Sequence, residues 1–309
     1  MLPTLEKMLR RLATSQLQRT YALYKHRSWR YKRLSKLVES VICVDVGAAH
    51  FPHPKWWLFL ESPKTLWLAI DPALESLQYT ERWRWKCSVK SLPIAVSANS
   101  GKQTLYVTKS PTGSSLLRPR PSLSNNYRYT PQNCAYFFPV SERNIDVVGI
   151  GALLNQYDLT SRFILKLDTQ GSEFSILSGM SDFFTSLRVI AVECEVSLLH
   201  LPPYEDAPRL WDVVGTMEAR GFELLQVDVI EKTRGTRLPG ERGAAAEADA
   251  IFILRREFVI TRELNFRLQL LCVYVTYGLF EEANLLLRDD PELADFLESK
   301  SRLGGLKLK

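Results

Sequence analysis

Hydrophobic and polar positions divide the chain into three zones. In residues 1–40, Leu2, Leu5, Met8 and Leu12 recur at the spacing of one helix face. Residues 41–258 alternate continuous apolar runs with helical patterns. Val41 to Val46 forms one such run and ends in the turn residue Gly47; Leu66 to Asp71 forms a second, stopped by Pro72. Cys87 to Ser97 and Thr104 to Thr108 predict strands around the hairpin-like turn Ser100-Gly101. Further strands are expected at Phe163 to Asp168 (before a turn at Gly171), Val189 to Glu195, Glu223 to Ile230 and Ala250 to Leu254, with a helix over Leu210 to Arg220. Apolar strands separated by helices predict an α/β fold, a mostly parallel sheet covered by helices on both faces. Residues 259–309 are helical in pattern: Leu268, Leu271, Cys272 and Val275 mark one stripe, and Ala283, Leu286 and Leu287 another, with breaks at Gly278 and Asp289-Asp290-Pro291. Thr112 to Pro131, rich in Pro, Ser, Arg and Asn, is a loop by the same criteria. The expected organisation is a helical arm over 1–40, a central domain over 41–258 and a helical appendage over 259–309.

Charge sharpens the first boundary. Residues 1–40 hold ten Lys or Arg against Glu6 and Glu39, a net of +8, whereas the other residues hold 30 basic and 32 acidic, a net of −2. A basic arm suits an acidic partner. The expectation is a cytoplasmic protein in peripheral contact with the anionic inner face of a membrane; the alternative is an arm packed on the domain through Trp29, Tyr31 and Leu34. The longest apolar candidate, Leu268 to Phe280, has thirteen residues and contains Gln269 and Thr276, short of the roughly 18–20 that a span needs. Glu6, Lys7, Arg10 and Arg11 do not resemble a secretory signal. Cys43, Cys87, Cys134, Cys194 and Cys272 are widely spaced, with no CxxC, which disfavours a disulfide framework or structural zinc.

Candidate chemistry gathers at strand ends. Asp45, Asp71, Asp168 and the pair Glu193 and Glu195 close four of the expected strands, and ligands of open α/β sheets bind beyond those carboxyl ends. The first loop, Gly47-Ala48-Ala49-His50-Phe51-Pro52, has one glycine and no following lysine. It is poorly suited to a pyrophosphate and suits a nucleoside without phosphates, such as S-adenosylmethionine, with Asp71 accepting from ribose hydroxyls. Gly149-Ile150-Gly151 lacks a third glycine and follows no expected strand. His50 and His53 lack a carboxylate or cysteine at matching local spacing, so no metal site is expected. Trp56, Trp57, Trp83 and Trp85 are expected to be packing residues.

Val44-Asp45-Val46-Gly47-Ala48 resembles motif I of class I S-adenosylmethionine-dependent methyltransferases. Leu165 to Gly179, with Lys166, Asp168, Gly171, Glu173, Leu177 and Gly179, resembles the KxDxxGxExxxLxG signature of the FkbM family, O-methyltransferases of natural products and glycans. Ala95-Val96-Ser97, Glu193 to Val196 and Ala248 to Phe252 add to the similarity, which spans about 41–255. Three positions depart from the family pattern. Ala49 to Pro52 replaces an Asn-x-Gly turn, Asp71 stands where many relatives have Glu, and Ala98 stands where the family has an Asp near the adenine.

The resemblance implies a Rossmann-like fold and S-adenosylmethionine contacts at Asp45, Gly47, Ala48, Asp71, Ser97, Asp168 and Glu173. Asp168 is the first candidate for catalysis, as general base or as holder of the methionine ammonium, against the alternative of capping the helix near Ser172. Glu195, sharing a strand face with Glu193, and His200 are the other catalytic candidates. The expected activity is O-methylation of a sugar, glycan or natural-product hydroxyl. The alternatives are a non-catalytic methyltransferase-like module and a nucleic-acid methyltransferase, although nucleic acid is not the favoured partner.

Overall fold

A computed structural model describes residues 34–48, 54–73, 77, 85–120, 137–232 and 245–302. The basic arm up to residue 33, His50, His53, Trp83, Cys134 and most of the loop ending at Pro131 lie outside the described residues.

Among the described residues ten strands form two sheets. In chain order they are β1 (Val41–Val46), β2 (Thr65–Ile70), β3 (Ser88–Leu92), β4 (Ala95–Ser97), β5 (Gly101–Thr108), β6 (Pro139–Gly149), β7 (Arg162–Leu167), β8 (Val189–Ser197), β9 (Phe222–Lys232) and β10 (Ala245–Leu254). The large sheet runs β3-β2-β1-β7-β8-β10-β9. Its first five strands are parallel, and β10 runs antiparallel to both β8 and β9. All six residues of β1 are buried. Alternate side chains of a strand point to opposite faces, so both faces of the sheet are covered there. The order reverses between β1 and β7, which makes their carboxyl ends the switch point.

The helices are α1 (Trp57–Leu60), α2 (Ile150–Leu154), α3 (Glu173–Ser178), α4 (Ser181–Thr185), α5 (Leu210–Glu218), α6 (Leu264–Thr276), α7 (Phe280–Asp289) and α8 (Pro291–Arg302). The segment set apart as a C-terminal appendage contributes its first helix to the common core. Every residue from Phe266 to Thr276 is buried, and α6 packs on α1 and β8. Gln269 Nε2 donates to the carbonyl of Glu39, and the Trp56 indole donates to the Tyr277 hydroxyl at 3.0 Å. The expected stripe is thus a helix buried all round. The Asp290 break is fixed by Arg267, whose guanidinium meets Asp290 at 2.7 Å and Glu292 at 2.6 Å. Among the described residues no helix is long and apolar enough to cross a membrane.

The second sheet runs β4-β6-β5 and corrects two expectations. The run Cys87 to Ser97 is two strands in different sheets, broken at Pro93, which has no N–H to give to a ladder. Strand β6 was not expected at all, because Ser141, Glu142, Arg143 and Asn144 are exposed and interrupt any apolar pattern. Gly149-Ile150-Gly151 therefore does follow a strand and opens α2. Its role is packing: Gly149 N donates to Ser100 Oγ, and a Cβ there would lie 3.1 Å from Ser100 N.

Candidate active site

The ends of β1, β2 and β7 form the floor of a cleft of about 610 Å3, walled by Leu105, Val107 and Arg143 of the second sheet. That volume falls within the roughly 300–1,000 Å3 of small-molecule sites. Gly47, Asp71 and Asp168 meet on it. Gly47 adopts φ +83, a left-handed conformation open to glycine, and its N–H donates to Ile70 O at 2.9 Å. The turn passes so close to β7 that a Cβ on Gly47 would sit 1.8 Å from the Asp168 carbonyl oxygen. Asp71 follows β2, where Pro72 stops the strand, and one of its oxygens accepts from Ala73 N at 2.7 Å. That bond fixes the carboxyl at the cleft rim.

The loop after β7 is held by its own side chains. Glu173 Oε1 accepts from Thr169 N at 2.6 Å, Gly171 N at 3.1 Å and Thr169 Oγ1 at 3.1 Å. Burial pushes the Glu173 carboxyl up to about 7 against those donors. Gln170, at φ +57, turns its side chain into a bridge, donating to Asp168 Oδ1 at 3.3 Å and Glu195 Oε2 at 2.9 Å. The Tyr204 hydroxyl is 3.2 Å from Gln170 Oε1, and Ser115 Oγ donates to the Gln170 carbonyl.

Asp168 and Glu195 act as a pair. Burial alone would raise Asp168, but Lys166, 2.9 Å away, and a hydrogen bond from Glu195 hold it at about 2. Burial and the neighbouring Asp168 charge push Glu195 well above the carboxylate range. The surroundings thus favour the protonated form of Glu195 and the ionised form of Asp168, the carboxylate that faces the cleft. The Asp168 side chain is 38% exposed.

Beneath them lies a chain of buried charges. Asp45, Lys166 and Glu193 are cross-strand neighbours on β1, β7 and β8, so their side chains share one face. Lys55 joins Glu193 at 3.5 Å to Asp228 at 2.7 Å, and the Tyr277 hydroxyl hydrogen-bonds Glu193. Burial pushes Asp45 up to about 7 against the pull of Lys166. Burial, then Glu193, raises Asp249 to about 6.

Six of the nine residues singled out from the sequence lie away from the cleft or do not line it directly. Asp45 is buried under the floor. Ala48 is buried with its N–H on Ile70 O, and Ser97 is buried with Gln103 Nε2 donating to its hydroxyl. Glu173 and Glu195 line a separate cavity of about 30 Å3 behind Gln170, room for about one water. His200 is exposed and lines neither cavity. Gly47, Asp71 and Asp168 remain, two of them strand-end acids. Gln170 was missed because its part depends on its backbone conformation. Lys55 was missed because its partners are 138 and 173 positions away.

Among the described residues that line the cleft, Arg143 is the one cation. That lining fits a nucleoside without phosphates better than a pyrophosphate. A parallel sheet closed by an antiparallel pair, with such a cleft at its switch point, defines the Rossmann-like class of methyltransferases. Residues 45–224, more than half of the chain, match the family model described as the methyltransferase FkbM domain, and the chain belongs to that family. Comparison with curated proteins and with solved structures finds no match.

Proposed function

We propose that the chain is an S-adenosylmethionine-dependent O-methyltransferase that methylates a hydroxyl of a sugar, glycan or natural product. The observation that carries this reading is the meeting of Gly47, Asp71 and Asp168 on one cleft, under a wall of apolar side chains. When bound, S-adenosylmethionine supplies an electrophilic methyl group. Asp71 accepts from the ribose hydroxyls, and the glycine turn lets the backbone approach the ligand. Asp168 orients the acceptor hydroxyl and takes its proton. A carboxylate held near 2 is a weak base toward a free alcohol. It suffices for an oxygen that gains positive charge as its new bond to carbon forms. Glu195, protonated, donates to Asp168 and stabilises its ionised form; Gln170 fixes the angle between the two.

Calorimetry with S-adenosylhomocysteine tests the first half. Asp71→Ala is expected to weaken binding by about 1.5–3 kcal/mol, the scale of hydrogen bonds to a charged group. Unchanged affinity in a folded variant would count against the assignment, and no binding by the wild type would overturn the reading. The second half is tested by a methyl-transfer screen over glycan and natural-product hydroxyls. Asp168→Asn should lower turnover by about 10²–10⁴-fold. Its S-adenosylhomocysteine affinity should stay near wild type, and its melting temperature should fall only modestly, because the Asp168 pair is lost while Asp45 and Glu193 still face Lys166. A collapse in melting temperature at unaltered turnover per folded molecule would make Asp168 structural.

A further inference from the structure

The cleft contains a cation that the proposed reaction does not use. Arg143 is exposed on β6, opposite Leu105 of β5, so the two share the face that walls the cleft. Among the described residues its side chain has no hydrogen bond, ion pair or ring contact. Asp71 and Asp168 are the other charged groups lining the cleft; Asp168 already has Lys166 and Asp71 already has Ala73 N.

The register locates Arg143 within the cleft. It lies four residues along β6 from Val147, which pairs with Ala95. At about 3.3 Å per residue this is roughly 13 Å. It is therefore distant from the end bounded by Ala95 and Val96. On the other side, Tyr106, next to Leu105, pairs with Ser115, whose hydroxyl donates to the Gln170 carbonyl at 2.7 Å. The stretch of wall that carries Arg143 is thus tied to the loop that presents Asp168.

We propose that Arg143 is a specificity-determining residue that pairs with an anionic group of the methyl acceptor, so that the substrate is a hydroxyl compound bearing a carboxylate or phosphate. The guanidinium fork matches either anion with two parallel hydrogen bonds. Leu105, Val107 and Leu116 beside it would cover the acceptor's apolar face. The identity of the acceptor rests on the methyltransferase reading above; the anion site itself does not. The other carboxylate able to reach this cleft is that of the cofactor's methionine, and the test separates the two.

Glucuronate, inorganic phosphate and glucose are titrated into protein saturated with S-adenosylhomocysteine, and into free protein, for the wild type, Arg143→Gln and Arg143→Lys. Glucuronate and phosphate should bind the wild type, about 10–100-fold more weakly the Gln variant, and the Lys variant in between. Glucose should not distinguish the three. S-adenosylhomocysteine affinity and melting temperature should be the same in all. Equal anion binding by wild type and Arg143→Gln, or none by the wild type, overturns the proposal. So does a tenfold loss of S-adenosylhomocysteine affinity in Arg143→Gln, which would assign the guanidinium to the cofactor. If the wild type binds no S-adenosylhomocysteine, the methyltransferase reading fails, while the titration of free protein still decides for or against the anion site.

Discussion

Gly47→Ala should cost about 3 kcal/mol or more of stability and weaken S-adenosylhomocysteine binding by about 10²-fold. Two separate penalties combine. An L side chain in the left-handed region costs about 1–2 kcal/mol, and Gly47 sits at φ +83. The added methyl would also overlap the Asp168 carbonyl oxygen. That contact is backbone against backbone, so no rotamer relieves it. The ends of β1 and β7 must separate, and such overpacking costs about 1–3 kcal/mol. Those ends are joined by the Asp168 N–H donating to Val46 O at 3.0 Å, so separation moves the floor that carries Asp168. Misplacement of a site by about 1 Å is worth about 10²-fold. Urea unfolding and calorimetry read the two effects independently. A variant as stable as wild type would show that the turn relaxes without moving β7.

Lys166→Met is the second large effect, expected at about 3–5 kcal/mol, the cost of removing one partner from a buried ion pair. Methionine keeps the length of the side chain, so the loss is one of charge. Asp45 and Asp168 then lose their cation, and Glu193 keeps only Lys55 at 3.5 Å. The pH dependence has a defined sign. Asp168 is depressed from its ordinary 3.8 to about 2, so its pairing stabilises the fold above pH ~4, and that contribution disappears as pH falls through about 2. The gap between wild type and variant should be widest near neutrality and shrink in acid. Adding Asp168→Asn to Lys166→Met should recover part of the loss, since the uncompensated charge goes with it. Equal unfolding free energies at neutral pH would mean that Lys166 contributes nothing net to stability.

What could be read from the sequence follows from how locally each feature is encoded. Strands β1, β2, β7 and β8 are nearly continuous apolar runs because both sheet faces are covered, and the acids at their ends stand out against that background. Gly47 and Asp71 could be located on the same grounds. Strand β6 could not, since Ser141 to Asn144 face solvent or the cleft and carry no apolar period. Helix α6 showed a stripe but not its burial: its other faces are covered by α7 and α8, which follow it, and by α1 and β8, supplied by distant parts of the chain. Glu173 at a helix start is readable as favourable for the dipole. Its three hydrogen bonds arise from the positive φ of Gln170 and Gly171; the turn at Gly171 was readable, the left-handed Gln170 was not. The Lys55–Glu193–Asp228 cluster joins three separate segments and has no sequence signature.

Strand β10 is last along the chain yet lies between β8 and β9 in space. The ribosome therefore delivers β8 and β9 with no native neighbour to share, and the apolar edge of β8 stays open until Ala245 to Leu254 has emerged. Asp249 and Tyr277 arrive in that same final stretch. The polar cluster around Lys55 and Lys166 is thus completed only after β10 and α6 have been made. The family match ends at residue 224, inside β9 and before any of these residues. A piece cut at that point would keep the stretches Val44 to Ala48 and Leu165 to Gly179 but lack the strand that closes its sheet.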